Sequence, residues 1–309
     1  MIRFFLRTAS LAGLALVALS CEQDAVIETV EITTPEPRFV ELPTGKVNLG
    51  KTADGRNYAL LMAEYITAED ADEAGNVVYF RNVGNKQLAG DFVANLQLDN
   101  TPDVSYYIDD SRPSEDLPVE VTTAAINRSM ATWDAVTCSD LGMYEIPYDG
   151  RPTGFYSALL GFGGTFGYVA DIVQAGWLPA QFFNFLAPNG SASILGVTFT
   201  LVFTDGNGNL VDTDNNGKYD VAFREIYYND RFTWSDGPGG IDVETVSLHE
   251  AGHGLSQAHF GKLFQTVKNN KFHFAPRAVM NAGYTGIQRT IDATDMGGHC
   301  SNWAQWPNN

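Results

Sequence analysis

Three of the chain's five histidines fall in one run of eleven residues, and that run constrains the fold more than anything else in the sequence. It reads Ile241-Asp-Val-Glu-Thr-Val-Ser-Leu-His-Glu-Ala-Gly-His-Gly-Leu-Ser-Gln-Ala-His259. Asp242 is a helix N-cap, and Val243, Val246, Ala251 and Leu255 keep helical spacing. His249 and His253 are four apart, so a helix puts both imidazoles on one face, where two nitrogens can hold one Zn²⁺. Glu250, adjacent to the first ligand, can lie beside a metal-bound water without ligating the metal, as a general base must.

A catalytic zinc needs a third protein ligand and an open position. Glu250 is the last Glu in the chain, so no downstream glutamate can serve. His259 is the natural candidate; Asp292 and Asp295 are the alternatives. Six residues beyond His253, His259 cannot continue the same helical face, so the chain must turn back between them. His273 and His299 have no partner spacing, and a surface or core role is expected for each.

Here the sequence resembles the metzincin metallopeptidases, whose motif is His-Glu-x-x-His-x-x-Gly-x-x-His. His249, Glu250, His253 and His259 match it, while Ser256 stands where the family has Gly. If Ser256 takes the positive φ of that Gly, the cost is about 1 kcal/mol. Ala278-Val279-Met280-Asn281 looks like the family's methionine turn, with Met280 packing under the zinc ligands. Among metzincins the matrixin type fits best, over about residues 103–309. That resemblance implies an α+β fold, a twisted mixed five-stranded sheet with a long zinc-binding helix. Val104–Asp109 resembles the first strand, and the helix through Ile126, Met130, Trp133 and Val136 the first helix. Ala170-Asp171-Ile172 resembles the third strand. Ile194-Leu195-Gly196-Val197 resembles the edge strand lining the substrate cleft, which would hold an extended peptide. Glu225–Asp230 resembles the fifth strand. The family's upstream structural-zinc histidines are missing, as is its Pro-Arg-Cys-Gly latency switch.

The start of the chain reads as an export signal over 1–20. Arg3 and Arg7 precede an apolar run Leu11–Leu19, and Ala18 and Ser20 are small residues at the cleavage-determining positions. Cys21 follows at once and resembles the acylated cysteine of a bacterial lipoprotein; plain secretion would cut the same bond. If Cys21 takes lipid, Cys138 and Cys300 remain to form a disulfide in an oxidising compartment, the alternative being two buried thiols. Residues 21–45 are acidic, contain three prolines and read as an extended tether. Residues 46–102 are a small β unit or a pro-segment, and 103–309 the catalytic domain.

Asp212-Thr-Asp-Asn-Asn-Gly-Lys-Tyr-Asp220 places oxygen side chains of Asp212, Asp214, Asn216 and Asp220 in a calcium-loop rhythm, with Gly217 at the sharp turn. Phe223 stands where an EF-hand needs its bidentate Glu, so a looser Ca²⁺ cage or a plain polar turn is expected. A net charge of −18 excludes the basic footprint of a nucleic-acid binder and argues against anionic membrane surfaces. Between Thr153 and Thr204 the only charged residue is Asp171, yet Gly, Ser, Asn and Gln break every window, which indicates core rather than a membrane span.

The sequence thus indicates an extracytoplasmic zinc endopeptidase, secreted or lipid-anchored at the cell surface. It would act as a monomer on protein or peptide substrates. The rivals are a zinc hydrolase using Asp292 or Asp295, and a non-enzymatic calcium-dependent surface binder with a relic metal site.

Overall fold

The computed structural model describes residues 28–42, 50–52, 54–81, 83, 90–94 and 96–308. The signal over 1–20 and Cys21 lie outside them. The fold is α+β. In chain order its elements are β1 (Thr29–Ile32), β2 (Arg38–Phe39), β3 (Gly50–Lys51), β4 (Asn57–Thr67), β5 (Val77–Tyr79), β6 (Gly90–Asp91), β7 (Val104–Ile108), α1 (Val119–Asp134), β8 (Met143–Glu145), α2 (Phe155–Leu160), β9 (Ile172–Leu178), α3 (Gly190–Ser193), β10 (Ile194–Thr204), β11 (Tyr219–Asn229), β12 (Trp234–Ser235), β13 (Ile241–Asp242), α4 (Val243–Gly254), β14 (Lys262–Thr266), β15 (Phe272–Ala275) and α5 (Ala293–Trp303).

The main sheet has ten strands rather than the expected five. Its order is β2-β5-β4-β10-β11-β9-β7-β8, with β3 added to β4 and β6 to β11. It is mixed: β9 runs parallel to β7 and β11, whereas β10 is antiparallel to β4 and β11. On one face lie α1 and α4, with Ile126, Met130 and Trp133 of α1 packing with Val246, Leu248 and Ala251 of α4 in one apolar cluster. The Trp133 indole N–H donates to the Leu248 carbonyl (2.8 Å), fixing one helix against the other.

The apolar stretch 153–204 explains the other face. Phe155 and Tyr156 of α2, with Phe182, Phe183 and Leu186 of the following turn, cover Tyr107, Val173, Phe199 and Tyr227. With both faces covered, all eleven residues of β10 are buried, which is why its sequence carries no charge and is apolar apart from Thr198, Thr200 and Thr204.

Three expectations need correction. Strand β10 is not an edge: β4, itself apolar from Tyr58 to Ile66 except for Glu64, pairs along its outer side from Asn57↔Thr204 to Thr67↔Ile194. Residues 46–102 are therefore not a separate small unit, since their described strands belong to the main sheet. Nor are residues 28–42 a free tether: β1 pairs with β14 and β2 with β5. Among the described residues no helix is long and apolar enough to cross a membrane.

Candidate metal centre

Helix α4 begins where Asp242 accepts the Thr245 amide (3.0 Å), and all its residues are buried. One face carries His249 and His253, 1 % and 0 % exposed. After Leu255 the chain reverses at Ser256, whose φ is +63°, and His259 returns beside the helix. The Nε2 atoms then converge, 3.0 Å between His253 and His249 and 3.2 Å between His253 and His259. Zinc–nitrogen bonds at tetrahedral angles place their nitrogens about 3.3 Å apart, so the residues present fit a zinc ion.

The tautomers follow from the neighbours. His249 Nδ1 is 2.7 Å from the Val279 carbonyl and His253 Nδ1 2.7 Å from that of Gln257. A carbonyl only accepts, so both Nδ1 atoms carry the hydrogen and both Nε2 atoms present lone pairs. Burial lowers the His249 pKa to about 4 against a small opposing effect of the Val279 hydrogen bond. It pushes His253 and His259 well below the usual value, the adjacent imidazoles adding to the effect. At neutral pH the three rings are uncharged, the form that ligates a metal.

Glu250 is fully buried beside them. The Thr198 hydroxyl donates to Oε2 (2.6 Å), while Oε1 has no partner among the described residues. Burial raises this carboxyl well above its ordinary range, and Glu64 pushes the same way; the Thr198 hydroxyl and the Ile66 backbone N–H oppose it. The result is a proton acceptor of raised affinity with one free oxygen. Thr198 was not singled out from the sequence. Its signal was a hydroxyl recurring with Thr200 at period two inside an otherwise apolar strand.

Met280 packs against α4 at Gly252, where any Cβ would collide with its sulfur. The turn is held from below: the amides of Val279 and Met280 donate to Asp295 (3.0 and 3.1 Å). Asp292 caps α5, accepting the amides of Thr294 and Asp295. These two carboxylates are thus spent on backbone donors, and the residue that the structure brings to His249 and His253 is His259.

The Ser256 turn is secured by Arg224, a cation buried in β11. Arg224 donates to the Gly254 carbonyl (2.7 Å) and to the Ser256 hydroxyl (2.9 Å), and Asn302 donates to the Ser256 carbonyl (2.9 Å). Burial lowers the Arg224 pKa to about 10 and raises that of Glu64 to about 8, each partner partly offsetting the other's shift. Sequence reading passed over both residues.

Carboxylate oxygens of Asp212, Asp214 and Asp220 gather within 4.8 Å of one another. Asp212 accepts the amides of Asn216 and Gly217 (3.1 and 3.0 Å), and Asp220 that of Thr213 (3.0 Å). The Asn216 side chain donates to Asp91 and Asp214 (3.0 and 3.1 Å). Burial raises the pKa of Asp214 and Asp220, and the neighbouring carboxylates add to it. Cys138 and Cys300 are disulfide-bonded. His273 is exposed in β15, and His299 is buried, stacked on Trp133.

No protein-family profile matches the chain, and no curated protein matches it in sequence.

Proposed function

We propose that the chain is a metzincin-type, zinc-dependent endopeptidase that acts outside the cytoplasm, anchored through Cys21. The observation that carries this reading is the convergence of three Nε2 atoms beside the unpartnered Oε1 of Glu250. Three imidazoles of His249, His253 and His259 would hold zinc, which when bound supplies Lewis acidity to a water and a peptide carbonyl. Glu250 Oε1 takes the proton of the attacking water and hands it to the amine that leaves. Thr198 fixes the carboxylate by binding Oε2, so that Oε1 is the oxygen presented. The Val279 carbonyl holds His249 by accepting its Nδ1 hydrogen, and Met280 packs against Gly252 of the same helix. Asp212, Asp214 and Asp220 would take Ca²⁺ in a structural role, and the Cys138–Cys300 bridge suits an oxidising compartment.

One observation favours the rival reading, a surface binder with a relic metal site: β4 lies where a substrate strand would approach. The test is Glu250→Gln in the full chain, assayed intact and after limited proteolysis. Zinc should stay at one equivalent while cleavage of an unbiased peptide library falls by ~10²- to 10⁴-fold. Equal cleavage by the variant, or none by the wild type in either form, would refute the peptidase.

A further inference from the structure

An extended peptide reaching Glu250 would add to the outer side of β10, drawn by main-chain hydrogen bonds. That place is taken. Strand β4 fills it over the whole length of β10, antiparallel, with Glu64 opposite Thr198 and Ile66 opposite Gly196. At its end Thr67 bridges in parallel to Gly283, just beyond the methionine turn, and the Tyr284 amide donates to the Thr67 carbonyl (2.8 Å). Strand β4 is therefore clamped from both sides, at the level of the metal ligands. Its Glu64 carboxylate is 3.5 Å from His253 Nδ1. Ile66 stands opposite Gly196, where even a Cβ would press on the Glu250 side chain, the group that a water must reach.

A second layer flanks the site. Of two cavities that reach His259, one is walled by Pro35, Pro37, Asn76 and Val77 from the N-terminal part and by Phe260 and Phe274 from the other side; the other lies between the Ser256 turn and α5. The Asn76 side chain donates to the Glu36 carbonyl (2.9 Å), and the Gly75 amide donates to the Ala282 carbonyl (2.5 Å), tying these segments to each other and to the residues after the methionine turn. Gly75 is glycine for a steric reason: a Cβ there would run into the carbonyl oxygens of Tyr65 and Ala282.

We propose that the segment carrying β1 to β6 is an intramolecular plug, in which β4 stands in the place of an extended peptide substrate and keeps the site closed until it is displaced. The proposal rests on the peptidase reading for what is switched on, but not for the closure itself. Plug and substrate compete for the same hydrogen-bonding edge of β10, so only one can be there. A latency switch built on cysteine is not needed, because a strand of the chain's own sheet does the excluding.

The test uses the full chain with a site-specific protease sequence inserted between Asn100 and Thr101, in the turn between β6 and β7. The intact, zinc-loaded chain should show slow deuterium exchange of the β10 amides 195–203, slow loss of zinc to dipicolinate and little peptide hydrolysis. After cleavage and removal of the N-terminal piece all three should rise, hydrolysis by at least tenfold. A synthetic peptide of residues 57–67 should then inhibit the cut protein and slow the β10 exchange again. Gly75→Val in the uncut chain should move the same three readings in the same direction without any nick. If the intact chain exchanges, loses zinc and hydrolyses peptide as fast as the cut chain, the plug is overturned and the peptidase stands. If the cut chain keeps the near-UV circular dichroism of the intact one, exchanges and loses zinc rapidly, and hydrolyses nothing, the plug stands and the peptidase is overturned; if that signal is lost, β4 is part of the core and the plug is overturned.

Discussion

The histidine cluster and the aspartate loop each bring three ligand-type side chains within 4.8 Å, yet they differ in what surrounds those atoms. At the aspartates, backbone N–H groups of Thr213, Asn216 and Gly217 already donate to the carboxylates. Nearby, Lys218 forms an ion pair with Asp91 (3.0 Å). The negative charge is partly answered from within, and two of the three acids face water. At the histidines the Nδ1 hydrogens of His249 and His253 go to carbonyls, and their Nε2 lone pairs face each other and the half-buried His259. Such an arrangement is costly without a cation. Converging acceptors that lack donors argue for a ligand far more strongly than converging acceptors that have them.

The sharpest way to break that contrast is His259→Ala. It leaves two nitrogens, and zinc affinity should fall by about three orders of magnitude, because each ligand carries several kcal/mol of metal binding. Competition with a chromogenic chelator measures it; unchanged affinity would return Asp292 or Asp295 to consideration.

Next in size is an effect of dry surroundings at His299, whose pKa burial holds at about 4. Unfolded, this imidazole titrates near 6.5, so its contribution is complete above that pH and is lost as the pH falls from there toward 4. The loss amounts to about 3 kcal/mol. His299→Phe keeps the stack on Trp133 and removes the proton, so denaturant midpoints between pH 7 and 4 should decline less steeply than in the wild type.

The aspartate loop should respond more mildly. Saturating Ca²⁺ is expected to stabilise the chain by about 1–3 kcal/mol, and Asp212→Asn to abolish most of that gain in calorimetry. Identical melting with and without calcium would make the loop a polar turn. The smallest effect is Ser256→Gly. With φ at +63° the substitution relieves roughly 1 kcal/mol of strain. It also removes the hydroxyl that Arg224 binds. A gain of under about 1 kcal/mol in urea unfolding is expected, with zinc content unchanged.

What was legible from sequence is what local chemistry determines. The N-cap at Asp242, the helical run to Gly254 and the spacing of its histidines specify α4 without help from elsewhere. The turn followed from the need to bring His259 back, and its positive φ at Ser256 from the glycine that stands there in the motif it resembles. Helix α1 and strands β7, β10 and β11 fall where apolar periodicity placed them. Position within the sheet did not follow, because periodicity says that a strand is buried and not by which neighbour. The sign that β10 is interior lay in another segment. Tyr58 to Ala63 is apolar at consecutive positions, the mark of a strand covered on both faces, and a pattern sought only as alternation misses it. Arg224 was illegible for a related reason: a charged residue in a strand reads as an edge or a surface until the carbonyls it serves, those of Gly254 and Gly90, are in view.

The disulfide has a topological consequence. Cys138 and Cys300 are 162 residues apart in sequence, and the bond turns that span into a covalent ring. The ring contains β10, β11, α4 with all three metal-site histidines, and the methionine turn. Strands β1 to β6 lie wholly outside it. A chain-entropy estimate gives a closure of this length about 5 kcal/mol of stabilisation, all of it conferred on what the ring encloses. Scission anywhere before Cys138 leaves the loop unbroken, so the N-terminal strands, though built into the main sheet, would then be held to the ring by non-covalent contacts alone.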